Sequence, residues 1–236
     1  MPQLLAHTLW SRYTFLKPHI LSSLSEKTMH PNITWMGHDC FAITSDSRTI
    51  FTDPFQLRDQ KRKADIILVT HSHYDHCSPE DIARVASEKT IIVAPPDCAE
   101  ALAAYDVRTV QPGSILDIGN IHLEAVPAYN TNKPFHPKAN NWVGYIFTVD
   151  GTRIYLAGDT DRIPEMKNFQ EIDIALLPVS GTYVMTAEEA VQAALDISPK
   201  LAIPMHYGGI VGTVGDAESF QKGLAGKLAV TILHEA

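Results

Sequence analysis

Short apolar runs separated by polar turns divide most of the chain into strands. The clearest run is Asp65–Thr70, which follows a polar loop and predicts a strand buried on both faces. Asp150-Gly151 lies between two other runs and is typical of a hairpin turn. The predicted strands are Ile33–Gly37, Cys40–Thr44, Thr49–Thr52, Asp65–Thr70, Thr90–Ala94, Ser114–Asp117, Ile121–Pro127, Trp142–Val149, Arg153–Ala157, Ile172–Pro178, Leu201–Met205 and Leu228–Leu233.

Helices are predicted where capping residues precede an apolar periodic segment. Ser78, Pro79 and Asp81 supply an N-cap, a first-turn proline and the acidic residue of a capping box. Thr186 with Glu189 caps Ala187–Ile197 in the same way. The other predicted helices are Leu4–Leu24, Asp97–Tyr105 and Ala217–Leu224.

The order of these elements predicts the fold class. Strands come first, then βα units, then strands and βα units again, which favours an α+β protein with an αββα sandwich. In this fold two mixed sheets pack face to face with helices outside. We expect one domain over residues 29–236 and an N-terminal extension over residues 1–28, which could pack on the domain or on a second subunit.

Composition narrows the partners. The formal net charge is −8, and no dense cluster of Lys and Arg indicates a nucleic-acid partner. No apolar run approaches the roughly 20 residues that span a bilayer, and the first residues do not resemble a signal peptide. Three cysteines are too few and too scattered for a disulfide framework. We therefore expect a cytoplasmic protein that acts on a small molecule, with no membrane partner; a homo-oligomer stays open.

One segment carries most of the chemistry. Thr70-His71-Ser72-His73-Tyr74-Asp75-His76-Cys77 reads H-x-H-x-D-H. His71, His73 and Asp75 alternate, so they share one side of an extended chain, and His76 follows in the loop. Imidazoles and a carboxylate so close together match the ligands of zinc and related divalent ions. Cys77 is expected to be a small buried residue rather than a ligand.

Two further segments place polar residues at strand ends. Asp159 follows Gly158 and could bridge two cations, although an isolated Asp here is more often part of a turn. His206 leads into the glycine-rich turn Gly208-Gly209 and is a plausible last ligand. Because active sites of sheet proteins gather at strand ends, these residues are expected to meet the histidine cluster.

These motifs together resemble the metallo-β-lactamase superfamily over about residues 30–236. The segments THSHYDH, AGDTD and PMHYG match its metal motifs, and Trp35-Met36-Gly37-His38 and Thr52-Asp53-Pro54-Phe55 match its first hairpins. The branch of closest resemblance is the metal-dependent hydrolases that include L-ascorbate-6-phosphate lactonase.

The resemblance implies two divalent metal ions, expected to be Zn²⁺, with Mn²⁺ or Fe²⁺ as alternatives. It also implies a division of ligands. His71 and His73 would bind the first ion, and Asp75, His76 and His206 the second. Asp159 would bridge the two ions, and Asp53 would orient the ligands from behind.

Asn130 departs from the family pattern, because a further histidine ligand is expected at this place. Either the first metal site is weak, or His136 reaches in from the loop Tyr129–Asn141 as a ligand or catalytic group. A surface position for His136 is the competing interpretation.

The resulting hypothesis is metal-assisted hydrolysis. Water held between two cations would lose a proton, and the metal-bound hydroxide would attack an ester, lactone or phosphoester in a small, anionic substrate. Asp75 would ligate and orient the nucleophile. Lys133, Lys138, His136 or Tyr207 could hold an anionic group, and His38 could line the mouth of the site, although a structural role is favoured for it. The alternatives are a phosphodiesterase or nuclease, a metal-binding protein without turnover, and an iron-dependent redox protein.

Overall fold

The computed structural model describes residues 31–46, 48–58 and 60–236. The extension over residues 1–28 and the helix predicted over Leu4–Leu24 lie outside these ranges. None of the helices described is long and apolar enough to cross a membrane.

Strands predominate among the described residues. The strands are β1 Asn32–Trp35, β2 Phe41–Thr44, β3 Thr49–Thr52, β4 Ile66–Leu68, β5 Ile91–Ala94, β6 Asp106–Thr109, β7 Ile115–Ile118, β8 Ile121–Pro127, β9 Val143–Val149, β10 Thr152–Leu156, β11 Ile174–Pro178, β12 Leu201–Met205 and β13 Ala229–Val230. The helices are α1 Pro79–Val85, α2 Ala187–Ile197 and α3 Val214–Leu224. Short 3₁₀ turns occur at Pro96–Cys98, Lys138–Asn140 and Pro164–Asn168.

The strands form two mixed sheets, and the predicted fold class is confirmed. The first sheet has the order β1-β2-β3-β4-β5-β6, and the second β13-β12-β11-β10-β9-β8-β7. In the first sheet β1 to β3 pair antiparallel and β3 to β6 parallel. The second sheet repeats this division, with parallel pairs from β10 to β13 and antiparallel pairs from β7 to β10.

Strand β4 shows how the sequence builds both faces of the first sheet. Ile66 and Leu68 lie in the large core that includes residues of both sheets, such as Phe147. Ile67 and Val69 lie in a second core with Ile82 and Val85, both in α1. Because strand side chains alternate, one unbroken apolar run supplies two cores.

Four details differ from the sequence-based expectations. Asp97–Tyr105 forms no α-helix but only the turn Pro96–Cys98, because Asp97 is engaged in tertiary contacts: its carboxylate accepts hydrogen bonds from Ser72 Oγ and Trp142 Nε1, both at 2.7 Å. Strand β6 was not predicted, since its edge position leaves a polar, mostly exposed sequence.

Helix α3 begins three residues earlier than predicted. Thr213 and Asp216 form a capping box that the apolar pattern alone did not reveal. The last predicted strand is reduced to Ala229–Val230.

A buried tyrosine gives a test of how the sheets are joined. Tyr145 of β9 donates a hydrogen bond from its hydroxyl to the carbonyl oxygen of Val69, which lies 2.7 Å away directly after β4 of the other sheet. Tyr145→Phe should lower the free energy of unfolding by about 1–2 kcal/mol, because the buried carbonyl loses its partner. Urea unfolding followed by circular dichroism measures this. Tyr74→Phe, at a side chain that is 68% exposed, should change it by less than about 0.5 kcal/mol; equal effects would contradict the assigned role.

Candidate metal centre

The residues predicted to bind metal meet where the strands end. His71, His73, Asp75 and His76 follow β4, and Asp159 follows β10. His206 directly follows β12, and the loop with Asn130 and His136 follows β8. Four loops that are far apart in sequence therefore contribute to one site.

Asp53 fixes the base of this site. Its carboxylate, fully buried after β3, accepts hydrogen bonds from the backbone N–H and the hydroxyl of Thr70 at 2.8 and 2.7 Å. It also lies 2.9 Å from His76 Nδ1, which leaves Nε2 of that ring directed at the cluster. The carboxylate thus orients His76, which is the role that the family resemblance implied for Asp53.

His71, His73 and His136 form the first group of potential ligands. Their ligand nitrogens lie within 4.8 Å of one another. His71 Nε2 is 3.0 Å from His73 Nδ1, and His136 Nε2 is 3.1 Å from Asp159 Oδ2. His136 is 1% exposed, so the surface position considered for it is wrong.

Asn130 lies behind His136. Its Oδ1 accepts a hydrogen bond from the His136 backbone N–H at 3.0 Å and lies 3.1 Å from His136 Nδ1. Its Nδ2 donates to Asp161 Oδ1 at 3.0 Å and to the Tyr183 carbonyl at 2.9 Å. The amide therefore orients the ring of His136, and this histidine, six positions later, lies with His71 and His73 in the first group of potential ligands.

The second group consists of Asp75, His76, His206 and His38, again with ligand atoms within 4.8 Å of one another. His206 Nε2 is 3.2 Å from Asp159 Oδ2, and its Nδ1 is 2.9 Å from Ser180 Oγ. His76 Nε2 is 3.4 Å from Asp159 Oδ1. Asp159 thus contacts residues of both groups.

Several buried atoms at this centre form no hydrogen bond of good geometry among the described residues, although the three ring nitrogens lie 3.1 to 3.4 Å from oxygens of Asp159. They are Nε2 of His76, His136 and His206, and Oδ1 of Asp159. Unpartnered buried polar atoms are costly unless a further ligand satisfies them. Their convergence and their chemistry fit divalent cations, which take imidazole nitrogen and carboxylate oxygen as ligands.

Burial and charge set the protonation of these groups. Burial lowers the pKa of His71 well below its usual value, so the imidazole is neutral and able to ligate. Burial by itself would raise the pKa of Asp159, but the imidazoles of His206 and His76 bring it well below its usual value. Burial would lower the pKa of His206, yet Asp159 and Asp39 raise it to about 9.

His38 and Asp39 are closer to the centre than the sequence indicated. His38 Nε2 lies 3.1 Å from Asp75 Oδ2, so this ring holds a proposed ligand instead of lining the mouth. Asp39 is fully buried, and within the described residues neither of its carboxylate oxygens has a hydrogen-bond partner. The only sequence signal for these two residues was the segment Trp35-Met36-Gly37-His38, which resembles the first hairpin of the family. Its position in a hairpin did not reveal that the chain folds over the site.

Backbone geometry also places the ligands. Gly158 has φ +63°, and a Cβ there would lie 3.0 Å from the Thr70 side chain, so glycine allows β10 to approach the end of β4. Asp53 and His206 adopt φ of 35° and 59°, a conformation that side chains rarely take. Such strain in the loops of Asp53 and His206 is typical of a functional site.

Other candidate residues have different roles. Lys133 forms an ion pair with the buried Asp161, and Lys138 contacts Glu165 at 2.9 Å. Tyr207 is 1% exposed and stacks on Trp35 with ring centroids 4.8 Å apart. None of these three lines the cavity beside the ligands. Cys77 packs in the core beneath α1, as expected of a small buried residue.

Comparisons with known proteins identify the family. A family model described as "Beta-lactamase superfamily domain" matches residues 32–206. A "UPF0173 metal-dependent hydrolase" of Thermoplasma acidophilum is 32% identical over 214 residues, which cover 85% of this chain and 93% of that protein.

Solved structures agree with this result. The crystal structure of a candidate metal-dependent hydrolase from Parabacteroides distasonis has a TM-score of 0.78 and 38% identity, and the match covers 86% of this chain and 94% of that chain. A metallo hydrolase from Ignicoccus hospitalis has the same fold, with a TM-score of 0.72, 24% identity and coverage of 87% and 96%. The chain therefore belongs to the metallo-β-lactamase superfamily, together with the UPF0173 proteins named metal-dependent hydrolases.

Proposed function

We propose that this protein is a hydrolase that holds two divalent cations. His71, His73 and His136 would hold the first, and Asp75, His76 and His206 the second, with Asp159 contacting both. The observation that carries the proposal is the convergence of unpartnered, buried ligand atoms on Asp159. The predominance of imidazole suits Zn²⁺, and the carboxylates also admit Mn²⁺ or Fe²⁺.

Bound there, two cations would polarise a carbonyl or phosphoryl oxygen and make water acidic enough to supply a nucleophile near neutral pH. Asp75 lines the cavity, so its carboxylate can orient that water and accept its proton. His38 donates to Asp75 and keeps the carboxylate in this orientation. Burial of the surrounding imidazoles limits access of bulk water.

The proposed reaction is cleavage of a small ester, lactone or phosphoester. The lactonase-like interpretation stays a prediction. The expected anion contacts of Lys133 and Lys138 are not part of the proposal, because both ammonium groups hold acidic partners. Carboxylic esters and phosphodiesters both place charge on an oxygen in the transition state, so the test must include both classes.

Hydrolysis of a substrate panel tests the proposal. The panel holds p-nitrophenyl esters, lactones and bis(p-nitrophenyl) phosphate. At least one should be cleaved; a chelator should abolish the activity, and Zn²⁺ or Mn²⁺ should restore it. Asp159→Asn should lower kcat by about 100-fold or more, because the shared carboxylate is lost.

Asp117→Asn is the matched control, because this carboxylate has a 75% exposed side chain on β7. It should retain full activity. Turnover that survives both chelation and Asp159→Asn would rule out metal-assisted hydrolysis at this site. Preferred cleavage of the phosphodiester would favour the phosphodiesterase alternative.

His136 and Asn130 should differ in a graded way. His136→Ala should remove one cation at working concentrations, because it deletes a proposed ligand. Asn130→Ala should weaken that cation's binding by about 10- to 100-fold, since it removes only the group that orients the ring. Competition against a chromogenic chelator measures both affinities. His122→Ala, at an exposed ring on β8, is the control and should leave metal affinity unchanged. If His136→Ala binds both cations as tightly as the unaltered protein, His136 is not a ligand.

Metal affinity should rise with pH. The pKa of His206 is about 9, so without metal its imidazole is protonated at neutral pH and must release that proton to ligate. Asp159 releases none, because its pKa lies well below its usual value. Burial would lower the pKa of His76, but Asp159 and Asp53 raise it well above its usual value, so this proposed ligand must release a proton as well. Affinity should therefore increase from pH 6 to pH 9, with proton release detectable by calorimetry in buffers of different ionisation enthalpy. An affinity independent of pH over this range would contradict ligation by these two imidazoles.

A further inference from the structure

A small cavity opens beside the proposed ligands. Its polar lining consists of His73, Asp75, His136 and Asp159. The rest of its lining consists of Tyr74, Phe135, Tyr183 and Ile210. Its volume is about 210 Å³, below the roughly 300–1,000 Å³ of pockets for drug-sized ligands. Every lining residue that is not a proposed ligand is thus aromatic or aliphatic.

The apolar side chains form an exposed rim. Tyr74 is 68% exposed, Phe135 43% and Ile210 38%. Large apolar side chains gathered around a concave site are typical of surfaces that bury a ligand. Phe135 meets the Tyr183 ring edge-on at a centroid distance of 4.7 Å, and Tyr74 meets Phe55 in the same way at 5.8 Å. These contacts hold the aromatic rings of the rim in defined positions.

Positive side chains are absent from this lining in the described part of the chain. Lys133 and Lys138, the nearest in sequence to Phe135, hold Asp161 and Glu165. A charged group on the outer end of a substrate would therefore lose water against aromatic rings without gaining a cation. The proposed metal ions would contact only the reacting end.

We propose that the substrate carries an uncharged, apolar group that packs against Tyr74, Phe135, Tyr183 and Ile210, while its ester, lactone or phosphoester group lies at the ligands. The position of the reacting group rests on the proposed function. The apolar contact rests only on the lining. Ile210, in the loop after His206, and Phe135, next to His136, would determine specificity without taking part in bond cleavage.

Two hydroxamic acids test this inference without requiring turnover. Benzohydroxamic acid and 4-carboxybenzohydroxamic acid share a metal-chelating head, and differ in one carboxylate at the far end of the ring. Calorimetric titration of the metal-loaded protein should give a dissociation constant about tenfold or more lower for benzohydroxamic acid, because the carboxylate must be desolvated at the rim.

Ile210→Lys should reverse or abolish this preference, since the new ammonium group would lie next to the carboxylate of the probe. Ile210→Ala should raise the dissociation constant of benzohydroxamic acid about fivefold, because apolar contact is lost. The matched controls are Ile115→Lys and Ile115→Ala, at a 65% exposed side chain on β7, and these should leave both constants unchanged. Metal content is measured for every variant, so that loss of a cation is not mistaken for loss of the rim contact.

Three outcomes would overturn the inference: equal or tighter binding of the carboxylated probe by the unaltered protein, no binding of either probe, or equal effects of changes at Ile210 and Ile115. Failure of the proposed hydrolase activity looks different. In that case no ester, lactone or phosphoester is cleaved, yet the probe preference and its dependence on Ile210 remain.

Discussion

Asp159, buried among the imidazoles of His76, His136 and His206, is the ionic contact on which the rest of the site depends. A carboxylate with so little exposure is unfavourable unless positive groups surround it. The three rings come from loops after β4, β8 and β12, so the carboxylate after β10 ties both sheets together at one edge. The Nε2 atoms that face this carboxylate, and Asp159 Oδ1, form no hydrogen bond among the described residues, so they are free to ligate cations.

A second layer holds these rings in place. Asp53 lies behind His76, Asn130 behind His136 and Ser180 behind His206. Each polar group contacts the Nδ1 side of its ring, and so leaves Nε2 directed at Asp159. Positioning by such outer groups is as important to a metal site as the ligands themselves, because a ring free to rotate loses more entropy on ligation.

Much of this arrangement could be predicted from the sequence. The alternating H-x-H-x-D-H segment, the strand ends before Asp159 and His206, and the division into two sheets follow from local patterns and from motifs. Asp159 and His206 were weak candidates for metal ligands when considered alone. They became convincing only because all the motifs together resemble one family. The pattern could not settle His136, because a histidine displaced by six residues fits no fixed spacing.

Other features depend on tertiary contacts that no local pattern contains. The loop that carries Lys133 and Lys138 was expected to bind an anion, but both ammonium groups are paired with acidic residues. The sequence does not reveal these pairs, because the partners Asp161 and Glu165 lie beyond β9 and β10. The role of His38 likewise depends on Asp75, which is 37 residues away. The rim of the cavity joins Tyr74, Phe135, Tyr183 and Ile210 from four separate loops.

The number of metal ions bound per chain tests the central claim most directly. Protein purified without chelator would be measured by inductively coupled plasma mass spectrometry, with protein concentration from amino-acid analysis. Two divalent ions per chain are expected, one for each group of ligands that meets Asp159. A stoichiometry that stays at one or below after incubation with excess Zn²⁺ or Mn²⁺ would contradict a two-cation site.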